Sequence, residues 1–110
     1  MVEEVTAERL QERLAAGDPV QVVDVREPEA FREGHVPGAI NVPFPEFPER
    51  IGEVEWADDV VLVCPVGRSS RQAGRLLESY EGVDLDARIA NLSGGYEEWS
   101  YDLETGDAQG

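Results

Sequence analysis

The stretch Asp59-Val60-Val61-Leu62-Val63-Cys64-Pro65-Val66-Gly67-Arg68-Ser69-Ser70 decides how this chain folds. Val60 to Val63 is a short apolar run of the kind a fully buried strand shows. It stops at the only cysteine, and a loop with Gly67 follows. Ala73, Leu76, Leu77 and Tyr80 then mark the apolar face of a helix that Gly82 ends. A strand that hands over to a helix through a tight loop belongs to an α/β architecture with a parallel sheet. Open sheets of that kind place ligands at the carboxyl ends of their strands, which is where Cys64 stands. The first N–H groups of the following helix aim back at that position. They carry partial positive charge, favour an anion and lower a thiol's pKa, and the thiolate is the reactive form. Arg68, Arg71 and Arg75 add charge of the same sign, and no acid occurs between Cys64 and Arg75. A free cysteine is most often a small buried hydrophobe; loop, helix and arginines together mark this one as a nucleophile.

Working outward, the other segments alternate in the same way. Thr6 caps a helix in which Leu10 and Leu14 lie one turn apart, with Gly17 as its stop. Val20 to Val25 is rich in β-branched residues and reads as a buried strand. Pro28 opens a short helical turn through Phe31 to Gly34. A turn at Val36-Pro37-Gly38-Ala39 leads into the extended Ile40-Asn41-Val42, and Phe44, Phe47 and Ile51 follow at helical spacing. Ala87 to Leu92 reads as the last strand, and Ser93-Gly94-Gly95 opens a short helix carrying Trp99. The polar tail from Asp102 to Gly110 is expected to fray.

Composition bounds the rest. At 110 residues the chain is one domain, with residues 1–110 forming a single unit around a core of about 6–101. One cysteine allows no internal disulfide, and one cysteine with one histidine cannot supply the usual zinc ligand sets; a carboxylate-only metal site stays open, though no stretch shows calcium-loop spacing, and neither metal nor cofactor is expected. No stretch approaches membrane-span length, and the start Met1-Val2-Glu3-Glu4 lacks a basic flank and an apolar signal core. The expectation is a cytoplasmic protein, monomeric by default, without a membrane partner. The net charge is −15, with 24 acids spread along the chain and nine basic residues that are all arginine. That distribution reads as a solvated, halophile-like surface, although a GC-rich genome also favours arginine over lysine. It disfavours nucleic acid, which needs a basic face.

Three segments together resemble the single-domain rhodaneses, a sulfurtransferase family. They are Asp24-Val25-Arg26 with Phe31 and Gly34-His35-Val36-Pro37-Gly38-Ala39-Ile40-Asn41-Val42-Pro43; Cys64 to Ser70; and Leu92-Ser93-Gly94-Gly95-Tyr96 with Trp99. The resemblance spans nearly the whole chain in order and spacing. It implies a rhodanese-like three-layer fold, a central parallel sheet flanked by helices, with Cys64 as the sulfur-accepting residue. The implied activity moves sulfane sulfur from thiosulfate or a similar small anionic donor, through a Cys64 persulfide, to a thiol or cyanide. Relatives often carry Glu before the aromatic residue where this chain has Ala30, which leaves Glu29 or Glu33 to supply that charge and leaves the partner of Arg26 open.

The anionic persulfide calls for a cradle of backbone N–H groups, assigned to Val66, Gly67, Arg68, Ser69 and Ser70. Arg68 is the expected contact for an oxyanionic donor, and Arg71 and Arg75 are read as a solvated face. The hydroxyls of Ser69 and Ser70 either donate to sulfur or cap the next helix. Asp24 and Arg26, at the end of the Val20 to Val25 strand, are read as supporting residues near the site, with Arg26 taken first as a structural ion-pairing group and second as a substrate contact. His35 is read as a hydrogen-bonded scaffold residue, Trp99 as core, and Gly94-Gly95 as too weak for a phosphate loop. The alternatives are a persulfide carrier or interaction module that serves a protein partner, and a Cys-dependent phosphatase or arsenate reductase. Such phosphatases place arginine six residues after the cysteine, where this chain has Ser70.

Overall fold

The computed structural model describes residues 2–81, 83 and 86–106. Five strands form the sheet: β1 (Glu3–Val5), β2 (Gln21–Asp24), β3 (Ile40–Asn41), β4 (Asp59–Val63) and β5 (Arg88–Leu92). They lie in the order β1-β5-β4-β2-β3, with every neighbouring pair parallel. Among the described residues four α-helices connect them: α1 (Ala7–Ala15), α2 (Pro28–Glu33), α3 (Phe47–Arg50) and α4 (Arg68–Glu78). Short 3₁₀ turns lie at Phe44–Glu46 and Gly95–Glu98.

The alternation of side chains along β4 builds the three layers. Val61 and Val63 point into a core with Ala7 and Leu10 of α1, Phe31 of α2, and Trp99. Val60, Leu62 and Cys64 point the other way, into a core with Phe47 of α3 and with Ala73 and Leu77 of α4. A strand buried on both faces must be apolar at every position, which is why the run from Val60 to Val63 is continuous. The same parity puts the reactive sulfur on the face that α4 covers. From β2 the chain moves outward to β3, whereas from β4 it moves the opposite way to β5. The carboxyl ends of β2 and β4 therefore flank a switch point, where an open sheet leaves a crevice.

Several local expectations change. The Glu3–Val5 strand carries no apolar alternation, yet it pairs with β5 along the sheet edge. Helix α4 starts at Arg68 behind Gly67, so neither Ser69 nor Ser70 is its cap. Leu76 is 42% exposed, because the buried set Ser70, Ala73, Gly74 and Leu77 is centred about 110° away around the helix. Gly82 lies outside the described residues. Within the polar tail, Glu104 exchanges backbone hydrogen bonds with His35 at 2.9 and 2.8 Å, and the Gly106 N–H donates to the Arg32 carbonyl at 2.8 Å. Residues 107–110 lie outside the described residues. No helix among the described residues is long and apolar enough to cross a membrane.

Candidate active site

Cys64 follows β4 directly and is 1% exposed. Its Sγ accepts a hydrogen bond from the Gly67 N–H at 3.0 Å and lies 3.1 Å from the Ser70 hydroxyl. Gly67 takes φ +86°, and a Cβ there would press at 3.3 Å on Asn91 Nδ2 and on the Leu92 carbonyl, so strain and space both favour glycine. Burial by itself pushes the Cys64 thiol up. The Ser70 hydroxyl and the backbone N–H groups of Ser70, Val66 and Gly67 outweigh it and hold the thiol below its ordinary value. Of the predicted cradle, Val66, Gly67 and Ser70 are thus brought onto the sulfur.

A cavity of about 380 Å³ opens over Cys64. Val25, Arg26, Glu27 and Ala30 wall one side, Phe44 and Pro45 another, and Pro65 and Ser69 border the loop. Ser69 is therefore a wall residue. Arg68 is exposed at the head of α4, is not one of the residues lining this cavity, and forms no ion pair among the described residues. Arg71 is not simply solvated, for its Nε lies 3.2 Å from Glu4.

Asp24 settles the partner of Arg26 in place of Glu29 or Glu33. Its carboxylate is fully buried and accepts from the Arg26 backbone N–H at 2.9 Å, from Nε at 3.1 Å and from Nη2 at 2.8 Å. Nη2 also donates to the Gly34 carbonyl at 2.6 Å, and the guanidinium stacks 3.8 Å from the centre of the Tyr96 ring. The Tyr96 hydroxyl donates to Asp24 Oδ2 at 2.8 Å, and burial followed by the Asp24 charge pushes that phenol's pKa up. Asn41 Nδ2 donates to the carbonyls of Asp24 and Arg26 at 3.0 Å each and pins the turn. His35 is 2% exposed, with Nδ1 2.8 Å from the Phe31 carbonyl and its ring stacked on Phe31 at 3.8 Å, away from Cys64.

Sequence reasoning missed two contributors. Gly95 sits at φ +60°, where a Cβ would lie 2.1 Å from the Cys64 carbonyl oxygen. The N–H groups of Tyr96 and Glu97 donate to the Cys64 and Pro65 carbonyls at 2.9 and 3.1 Å. The Gly94-Gly95 pair thus clamps the base of the cysteine loop. Asn91 is wholly buried, and its Oδ1 accepts a short hydrogen bond from the Ser70 hydroxyl. Its only sequence signal was a polar residue inside an apolar strand pattern.

Together these features define an α/β domain with a single loop-cradled cysteine at its topological switch point. The profile of the rhodanese-like domain family matches residues 6–102. A sulfurtransferase of Allochromatium vinosum is 36% identical over 101 residues, which cover 91% of this chain and 90% of that protein. The thiosulfate sulfurtransferase GlpE of Shewanella oneidensis is 34% identical over 80 residues, covering 73% of this chain and 75% of its own. A crystal structure of a rhodanese-like domain protein from Staphylococcus aureus superposes with a TM-score of 0.77 at 27% identity, over 94% of this chain and 98% of that one. Two other curated relatives are longer, and the chain spans 51% and 42% of them. The chain belongs to the rhodanese-like domain family.

Proposed function

We propose that the protein is a sulfurtransferase that carries sulfane sulfur as a persulfide on Cys64. The observation that supports this best is the ring of donors on Sγ, from Gly67, Val66 and Ser70, at the floor of a cavity. In the first half-reaction the Cys64 thiolate attacks the outer sulfur of a donor such as thiosulfate. The donor's S–S bond breaks, sulfite leaves with the bonding pair, and the negative charge moves to the outer sulfur of the persulfide. In the second, cyanide or a thiolate attacks that outer sulfur. The Cys64 thiolate departs, and the product is thiocyanate or a new persulfide. Each step exchanges one sulfur–sulfur bond for another bond to sulfur, so no outside oxidant is needed.

A second reading shares this chemistry, with a protein as acceptor and the domain as carrier. Val66, 48% exposed beside the mouth, favours it. Phosphate-ester hydrolysis fits less well, since a phosphoryl group needs several oxygens cradled and an arginine closing the ring, and Ser70 occupies that place with its hydroxyl turned to Sγ. Intact mass after incubation with thiosulfate tests the proposal. We expect one added sulfur atom that cyanide removes and that Cys64→Ala never acquires. Absence of that adduct with thiosulfate and with organic persulfides alike would overturn it.

A further inference from the structure

Ser70 has one hydroxyl hydrogen and two neighbours that call for it. Its Oγ lies 3.1 Å from Cys64 Sγ and also in a short hydrogen bond to Asn91 Oδ1. The Asn91 amide is not free to turn. Nδ2 donates to the Glu4 carboxylate at 3.1 and 3.4 Å, so Oδ1 is the atom left for Ser70. Glu4 stands opposite Asn91 in the β1–β5 register and is itself held by Ser93 Oγ at 3.0 Å and Arg71 Nε at 3.2 Å. A chain of contacts thus runs from an ion pair at the sheet edge to the nucleophile.

Counting protons gives this chain two states. With a neutral thiol, the S–H donates to Ser70, Ser70 donates to Asn91, and every group is satisfied. With a thiolate, sulfur takes the Ser70 proton, and a buried carbonyl on Asn91 loses that partner. We propose that Asn91, locked by Glu4, is a positioning residue that competes with Cys64 for the Ser70 proton and keeps the free sulfur less ionised than its loop alone would. A thiolate of higher basicity is the better nucleophile once formed, provided its pKa stays near ambient pH. Where a persulfide forms (this clause alone rests on the proposed function), charge leaves Sγ for the outer sulfur and Ser70 returns to Asn91.

The other charged groups about Cys64 are the Asp24–Arg26 pair and Glu27 across the cavity, Arg68 on the rim, and the Arg71–Glu4 pair itself. Their direct fields must be separated from the hydrogen-bond effect. The experiment is the pH profile of Cys64 alkylation by iodoacetamide, which needs no sulfur donor and so stands or falls apart from the persulfide. Glu4 is 41% exposed, so Glu4→Ala keeps the fold while releasing the amide to turn its Nδ2 toward Ser70. The midpoint should then fall by about one pH unit, a tenfold gain in thiolate at lower pH. Glu4→Gln retains an acceptor for Nδ2 and should stay near wild type. In a Ser70→Ala background, Glu4→Ala should have no effect, since the route passes through the missing hydroxyl. Equal shifts from Glu4→Ala and Glu4→Gln, or an Ala shift that survives in Ser70→Ala, would show a plain field effect and overturn the proposal. An unmoved midpoint in Glu4→Ala would overturn it as well.

Discussion

The carboxyl ends of β2 and β4 lie side by side and each buries a group that can carry negative charge, but they balance it differently. At β2 the Asp24 carboxylate is matched: Arg26 and Tyr96 saturate both oxygens, and Arg26 satisfies Gly34 as well. At β4 the donors exceed the acceptor, for several N–H groups and a hydroxyl converge on one sulfur atom. A matched pair is closed and holds the scaffold. An excess of donors is an anion site waiting for charge, which is what a thiolate or an outer persulfide sulfur provides.

The sharpest way to break this contrast is to remove each centre. Cys64→Ala should abolish thiocyanate formation from thiosulfate and cyanide, with an unchanged circular dichroism spectrum and a melting transition that stays cooperative. Asp24→Ala should instead cost about 3–5 kcal/mol of stability in urea unfolding, because it strands the Arg26 guanidinium without its counter-charge. Should Asp24→Ala stay as stable as wild type and lose only activity, Asp24 belongs to the reacting site and the contrast fails.

Gly95→Ala sharpens the comparison by acting on the base of the loop. The new methyl meets the Cys64 carbonyl, so the loop must shift, and transfer rates should fall by about a hundredfold, as misplaced reacting atoms do. Arg68→Ala should do far less. An exposed rim charge contributes about 1 kcal/mol or less, so use of thiosulfate should drop by under about tenfold and that difference should vanish in molar KCl. In the same salt series the melting temperature should rise, since screening relieves self-repulsion in a chain of net charge −15.

The smallest effect concerns pH. Burial raises the Glu4 carboxyl, but Arg71, Asn91 and Ser93 outweigh that and leave it below its ordinary value. A depressed acid contributes stability above its unfolded pKa and loses it as pH falls through its folded pKa. Wild type should therefore lose its small stability advantage over Glu4→Gln as the pH drops below the ordinary glutamate range, measured by melting temperature. A constant advantage down to the acid limit would show that the Glu4 charge contributes nothing.

Sequence alone placed Cys64 at a strand end, Gly67 in its loop and a helix behind it, because a continuous apolar run, a lone thiol and a helical period are local signals. It read Arg26 as an ion-pairing residue at the end of its strand but left the partner open between nearby acids, and the fold chose Asp24. Tertiary structure decided the remainder. β1 could not be read from Glu3-Glu4-Val5, since an edge strand is held by backbone pairing to β5 and needs no side-chain pattern. The docking of Glu104 on His35 joins residues far apart through main-chain bonds, which a polar tail does not advertise. Glu4 meets Asn91, and Asn91 meets Ser70, only because strand parity and register bring three distant positions together, and neither is set by any residue's neighbours along the chain.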